Sequence, residues 1–185
     1  MVRVVEVPVG ATLEALGEAL SACFWWSLDE VAMFTVRAVR YSACSLVESL
    51  PSREVTVDSL GLRVGERFTW ALDVTMGWLV DVRVEAVTAV DDGRVRCVSG
   101  RRAGPPVWCR CPAEFFAWED EHTLVEFIDC LSVVLDTDDA GSALIGERLA
   151  GIAAWVLRDR FDQDRVNTAL DTLEVRSCVS SSRSA

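Results

Sequence analysis

The chain has 185 residues, 51% of them hydrophobic, and a formal net charge of −11 at pH 7. This length and composition indicate one globular domain with a sizeable core rather than a disordered chain. The negative charge disfavours a general nucleic-acid coat or an anionic membrane surface as partner, since both require positive charge. The sequence shows no leader peptide and no apolar run of about 18 residues, so we expect a cytoplasmic protein.

The first part of the chain alternates β-rich runs with one amphipathic helix. Residues 2–7 form a short β-rich run. Thr12 is placed to cap a helix that begins at Leu13 and carries apolar residues at helical spacing. Residues 31–39 predict another strand. Residues 41–59 predict a loop, followed by a short helical turn.

The stretch 68–87 has the strongest pattern, with two runs of period two on either side of Gly77. The apolar positions predict one buried face of an antiparallel hairpin: Phe68, Trp70, Leu72, Val74, Val80, Val82, Val84 and Ala86. A third strand, 94–98, follows an Asp-Asp-Gly turn signal, with Val95 and Cys97 facing inward. These three strands are predicted to form a meander.

The last part of the chain is predicted to be helical. Residues 100–112 predict a loop, since two Gly and two adjacent Pro interrupt regular structure. Thr123 and Glu126 match a capping box before apolar residues at helical spacing. Ser142 and Asp162 are placed to cap two further helices.

The predicted fold class is α+β. An antiparallel sheet of about four to five strands is covered by the N-terminal helix and a C-terminal helical cluster. We assign residues 1–174 to a single domain and predict that residues 175–185 form a disordered tail.

Four stretches in this order carry a family resemblance. They are the first helix with its Trp corner (7–26, followed by Phe34), the hairpin 68–78 followed by 82–85, the Cys-containing loop 97–109, and the closing helix 161–170. Together they resemble the plasmid pRi-A4b open-reading-frame-3-like family, a transposon passenger domain, over residues 3–174. The resemblance implies the fold and an association with mobile genetic elements, but no activity.

The chain departs from the family pattern where polar side chains are expected. The resemblance implies two His where Glu30 and Ala32 stand, a Gly-Asp pair at Thr75 and Met76, and a later His at Val80. We therefore predict a degenerate family site at Glu30, Ala32, Met76 and Val80. Segment 30–34 should lie beside hairpin 73–80, so that Ala32, Met76 and Val80 line one mainly apolar patch.

The loop departs from the family in the same way. The family's second Cys is Gly104 here, and its acidic pair is Val107-Trp108. Any activity of the relatives is thereby placed in doubt for this chain.

Three cysteines are weak candidates for a zinc site: Cys97, Cys109 and Cys111, with His122 or another Cys as fourth ligand. The alternative is that Cys97 is a core residue and the other two are loop thiols. His122 is the only imidazole, and we favour a surface position in the first turn of a helix over a catalytic role. We find no phosphate loop, nucleophile elbow or metalloprotease motif, and we predict neither catalytic residues nor a cofactor.

One stretch is locally basic, contains an aromatic ring and has no acid within it. Its candidate binding residues are Arg94, Arg96, Arg101, Arg102, Trp108 and Arg110. Such a set could bind a nucleic-acid strand through phosphate contacts and stacking, or it could bind an acidic protein surface. The alternative is a solvated loop, or pairing with this protein's own acidic helices.

Three functions follow from these patterns. The first is a non-catalytic interaction or accessory domain with a protein partner, linked to mobile elements. The second is a nucleic-acid-binding accessory protein that uses the loop 94–110, which the net charge disfavours. The third is a metal-dependent enzyme with a Cys-based zinc site.

Overall fold

The computed structural model describes residues 1–26, 31–44, 48–72, 77–88, 93–136 and 143–173. Its strands are β1 (Val2–Glu6), β2 (Ala32–Val36), β3 (Val39–Ser42), β4 (Leu50–Pro51), β5 (Arg67–Leu72), β6 (Trp78–Arg83) and β7 (Arg96–Arg101). Its helices are α1 (Leu13–Phe24), α2 (Pro112–Glu121), α3 (Leu124–Asp136), α4 (Ala143–Leu157) and α5 (Gln163–Asp171). The predicted α+β class is confirmed, and α2 is a helix that the sequence patterns did not predict separately.

Five strands form the main sheet in the order β4-β3-β2-β5-β6. The predicted hairpin is the β5–β6 pair, in which Trp70 lies opposite Val80 and, on the other side, opposite Phe34. The contact between β3 and the two-residue β4 is parallel, so the sheet is mixed rather than wholly antiparallel.

The predicted three-strand meander is wrong. β7 pairs with β1 in a separate two-stranded sheet, and not with β6. Val95 and Cys97 are buried as predicted, but they belong to a second core cluster with residues of α1 and α5. The alternation of side chains reports which face of a strand is buried; it does not report which strand lies at its edge.

The predicted single strand over 31–39 is two strands, because a tight turn interrupts it. Arg37 and Ala38 both have positive φ, 49° and 66°, as a two-residue turn of the primed type requires. The Arg37 guanidinium donates hydrogen bonds to the Glu66 carboxylate at 2.6 and 2.8 Å. These bonds hold the pKa of Glu66 below its usual range and tie the hairpin to the segment before β5.

Helix α1 contributes to both core clusters. The main cluster lies on the five-stranded sheet and includes Leu16, Leu20 and Trp70, and the second includes Cys23 and Cys97. The Thr12 hydroxyl accepts a hydrogen bond from the Ala15 N–H at 3.1 Å, which confirms the predicted cap. Leu16 and Leu20 face the main sheet, whereas Cys23 faces the second cluster. Because both sides of α1 are covered, it is buried almost throughout.

Two of the predicted caps in the C-terminal part are confirmed. The Thr123 hydroxyl accepts from the Glu126 N–H at 3.2 Å, and the Asp162 carboxylate accepts from the Arg165 N–H at 2.9 Å. Ser142 and the predicted tail from residue 175 lie outside the described residues. Within the described ranges, no helix has the length and apolar character needed to cross a membrane.

The replacement Gly146→Ala is expected to raise the free energy of unfolding by about 0.5–1 kcal/mol. Gly146 lies within α4, and a Cβ placed there meets no atom within 4 Å. The gain comes from the lower conformational entropy of Ala in the unfolded chain and its better helix propensity. Urea denaturation followed by circular dichroism measures it, and a loss of stability would show that the position is crowded.

Candidate functional site

The basic residues predicted to bind a partner do not form one compact cluster. Arg96 and Arg101 lie at opposite ends of β7, opposite Glu6 and Val2 of β1. At the usual rise of an extended strand, five residues separate their backbones by roughly 16 Å. Arg102, Trp108 and Arg110 lie on the loop that follows. A ligand would therefore meet these residues as separate contacts.

Arg102 and Arg110 are engaged with acids of the protein itself. Arg102 forms ion pairs with Glu119 of α2 and, at 3.2 Å, with Asp159 after α4. Arg110 pairs with Glu114 at 3.2 Å through its side chain and donates its backbone N–H to the same carboxylate at 2.8 Å. That backbone hydrogen bond is the main cause of the lowered pKa of Glu114. The pairing considered in the sequence analysis thus holds for both arginines.

The loop tip is apolar and exposed. Val107 and Trp108 retain 75% and 48% of their accessible surface, between the buried Pro105 and Cys109. Trp108 is therefore available for contact, and its role in binding stays a prediction.

The three candidate zinc ligands are divided between different parts of the core. Cys109 belongs to the main cluster and Cys97 to the second, whereas the Cys111 sulfur caps α2 by accepting from the Glu114 N–H at 3.5 Å. Across the described ranges, no three His, Cys, Asp or Glu side chains converge as metal ligands would. The described part of the chain therefore lends the zinc hypothesis no support.

His122 lies at the end of α2. The sequence pattern predicted a position in the first turn of the next helix, α3. His122 is partly buried, and its Nδ1 lies 2.9 Å from the Trp118 carbonyl oxygen. Its ring centroid is 5.4 Å from that of Trp118. These contacts indicate a packing role at the junction between the two helices.

An exposed apolar stripe on α3 is the feature that the sequence reasoning missed. Four side chains, 39% to 68% exposed, share one side of this helix, and we call them the α3 stripe: Leu124, Val125, Ile128 and Leu131. Their helical spacing predicts a face that packs on a core. In the structure α3 packs on α4, and the stripe remains exposed to solvent.

The surroundings of the α3 stripe are acidic. Asp120, Glu121 and Asp129 are exposed beside it in sequence, on the end of α2 and on α3 itself. The chain contains no Lys or Arg from residue 111 to residue 147. The absence of Lys and Arg over this range can be read from the sequence alone, and it could have indicated an acidic surface around the α3 stripe.

A cavity of about 290 Å³ lies between α1 and β2. Its walls are mostly apolar, with Ala32, Phe34 and Leu72 from the sheet opposite Leu13 and Gly17 of the helix. The acidic side chains of α1 that reach it are Glu14 and Glu18.

Comparison with known proteins identifies the family of this chain. A sequence model described as plasmid pRiA4b ORF-3-like protein matches residues 1–169. The chain belongs to this family. The crystal structure of MM3350, a protein of unknown function from Methanosarcina mazei Go1, is similar with a TM-score of 0.59. The two chains are 17% identical over 88% of this chain and 86% of that one, so the likeness shows the fold alone. No functionally curated protein matches the chain.

Two of the four positions predicted to mark a degenerate site of this family lie in the described part. Ala32 and Val80 share one face of the sheet, because Ala32 is opposite Leu72, and Trp70, two residues before Leu72, is opposite Val80. The intervening strand β5, together with the two-residue offset along it, separates them by about 12 Å. Both pack against the main core cluster. Glu30 and Met76 lie outside the described residues, so a single shared patch stays a prediction.

Gly104, which stands where the family pattern has a Cys, has no room for a side chain. A Cβ at this position would overlap the Phe24 carbonyl oxygen and lie 3.0 Å from the Phe24 carbonyl carbon. The end of α1 therefore occupies the space that a side chain from this loop would need. In this member of the family, the packing of the loop on α1 is incompatible with the family residue.

Proposed function

We propose that this protein is a non-catalytic accessory domain that binds a protein partner through the α3 stripe. The observation that carries the proposal is the exposure of four large apolar side chains on one helix, where single exposed residues would need no explanation. Grouped exposed apolar side chains mark interaction surfaces in soluble proteins. The description of the family by a plasmid open reading frame supports an accessory role.

Covering the stripe would contribute to binding, because it removes apolar surface from water. Burial of one Leu, Ile or Val side chain contributes about 1.5–3 kcal/mol relative to leaving it exposed. The stripe residues are already partly covered, so each one retains only part of that amount. Even so, one such side chain at the centre of an interface can change affinity by about tenfold or more.

The charge around the stripe identifies the kind of partner. The surface formed by α2 and α3 contributes carboxylates and, over residues 111–147, no Lys or Arg. A second copy of this chain would place acidic rims against each other, which opposes symmetric association. The complementary partner is a protein with an apolar surface, such as one face of a helix, bordered by Lys or Arg.

A model peptide tests this proposal directly. The probe is a fluorescent helical peptide with Leu on one face and Lys on the other, and its scrambled counterpart has the same charge. We expect the amphipathic peptide to bind more tightly than the scrambled one, and Ile128→Asp to weaken its binding by about tenfold or more. Fluorescence anisotropy measures both affinities.

Val64→Asp is the matched control, since Val64 is 63% exposed and lies outside the helices. Both variants should keep the wild-type melting temperature, because neither side chain is in a core cluster. The proposal would be refuted if the scrambled peptide bound as tightly as the amphipathic one. It would also be refuted if Ile128→Asp bound the amphipathic peptide as tightly as the wild-type protein does. So would sedimentation that shows a dimer abolished by Ile128→Asp.

The salt dependence of binding distinguishes the nucleic-acid alternative from binding to a protein partner. Phosphate contacts give binding that falls steeply as salt rises. We expect a labelled DNA duplex to show no tight binding at moderate salt. Tight, steeply salt-dependent DNA binding that Arg101→Gln weakens would favour the alternative and count against the α3 stripe as the functional surface.

A further inference from the structure

Two cysteines distant in sequence meet between α1 and β7. Cys23 lies near the end of α1 and Cys97 lies in β7, with 0% and 1% of their surfaces exposed. The two side chains lie in the same buried cluster, where the Cys23 thiol is the largest influence on the pKa of Cys97. The Cys97 sulfur also lies 3.4 Å from the Ser99 carbonyl oxygen. Both thiols are free, and their contact joins the two-stranded sheet to α1.

Neighbouring groups hold this pair in place. The Asn167 side chain of α5 forms two hydrogen bonds with the Cys97 backbone. Its Oδ1 accepts from the Cys97 N–H at 2.8 Å, and its Nδ2 donates to the Cys97 carbonyl oxygen at 3.0 Å. The Arg3 guanidinium donates to the Cys23 carbonyl at 3.0 Å. It also lies over the rings of Phe24 and Phe161, at 5.0 and 4.3 Å from their centroids. The cation is thus fixed beside both sulfurs.

The charges around Cys97 favour its thiolate. The interaction with the Cys23 thiol lowers the pKa of Cys97 to about 7, and Arg3 lowers it further against the effect of burial. The same interaction and burial raise the pKa of Cys23. The titratable groups that face Cys97 are Cys23 from α1 and Arg3 from β1, while α5 presents the neutral Asn167. When one proton leaves the pair, the negative charge is therefore favoured on Cys97 rather than on Cys23.

We propose that Cys23 and Cys97 form an oxidation site at which hydrogen peroxide produces a reversible disulfide between α1 and β7. The Cys97 thiolate attacks one peroxide oxygen, the O–O bond breaks, and a proton converts the leaving hydroxide to water. The resulting sulfenic acid is attacked by the Cys23 sulfur. The S–S bond forms, the S–O bond breaks, and the Cys23 proton leaves with the hydroxide as a second water. Both thiols are oxidised and one peroxide is reduced.

Burial selects the oxidant. Because both sulfurs are buried, an oxidant reaches them only through local opening, and hydrogen peroxide, little larger than water, requires a smaller opening than glutathione disulfide does. Cys23 is already placed to resolve the sulfenic acid, so further oxidation of Cys97 is suppressed. The cross-link would close a long loop and restrain the unfolded chain.

The experiment uses the full-length wild-type chain. After treatment with hydrogen peroxide, mass spectrometry of unreduced peptides should find Cys23 joined to Cys97, and dithiothreitol should release it. The oxidation rate should rise with pH and reach half its maximum near pH 7, following the Cys97 thiolate. Oxidised protein should melt at a higher temperature than reduced protein, whereas glutathione disulfide should leave the pair reduced.

Variants supply the controls. Cys97→Ser should abolish the cross-link and its pH profile, whereas Cys44→Ser should leave both unchanged, since Cys44 lies outside the two core clusters. The wild-type cross-link stands as evidence even if Cys97→Ser folds poorly. Accumulation of Cys97 sulfinic acid without the cross-link, or cross-links to other cysteines at an equal rate, would overturn the proposal.

Discussion

Replacing Trp70 with Ala is expected to lower the free energy of unfolding by about 3–5 kcal/mol. Trp70 is fully buried in β5, an interior strand of the main sheet between β2 and β6. Its ring centroid lies 5.9 Å from that of Trp26 and 6.2 Å from that of Phe34. Truncation removes both ring contacts and leaves a cavity between the sheet and α1, which the rigid backbone on both sides cannot fill.

Urea denaturation followed by far-ultraviolet circular dichroism measures this loss without relying on the fluorescence of the altered residue. Trp108→Ala is the matched control, and because Trp108 is exposed, it should change stability by no more than about 0.5 kcal/mol. Trp70→Phe should cost less than Trp70→Ala, since the indole Nε1 of Trp70 has no hydrogen-bond partner within the described ranges. Equal effects of Trp70→Ala and Trp108→Ala would show that Trp70 is not the centre of this core.

Gly104→Ala is expected to destabilise the protein by about 1–3 kcal/mol. The added Cβ would overlap the Phe24 carbonyl oxygen, which is a backbone atom at the end of α1 and cannot rotate away as a side chain can. Either the loop 102–111 or the end of α1 must move. Thermal denaturation of the purified variant should therefore show a lower midpoint.

Gly10→Ala is the control for this substitution, because a Cβ at Gly10 meets no atom within 4 Å. It should be nearly neutral. If Gly104→Ala is equally neutral, the loop can move away from α1 at little cost, and a Cys at this position would be tolerated. The conclusion that this packing excludes the family residue would then be wrong.

The parts of the fold that were predicted correctly depend on local patterns. The helix after Thr12 is specified by a cap and by apolar spacing within a dozen residues, and the β5–β6 hairpin by strict alternation. The partner of β7 is determined by a contact with residues about 95 positions earlier in the chain, at Val2–Glu6. No pattern within β7 encodes that choice, so the nearer strand was assigned instead.

The candidate site shows the same division. Arginines that are neighbours in sequence were grouped into one binding segment, yet Arg102 pairs with Asp159, more than 50 residues away. The spacing on α3 shows that a face of this helix needs to be covered, but not whether the chain itself covers it. The Cys23–Cys97 contact likewise depends on tertiary packing alone.

The shared position of α1 between the two clusters has a consequence for synthesis on the ribosome. The second cluster needs β7 and then α5, whose first residue, Gln163, follows Phe24 by about 140 residues. At about 5–20 residues per second, one apolar side of α1 waits roughly 7–28 s for its last partner. During that interval the nascent chain exposes an apolar face of α1, which is the kind of surface that chaperones of emerging polypeptides bind.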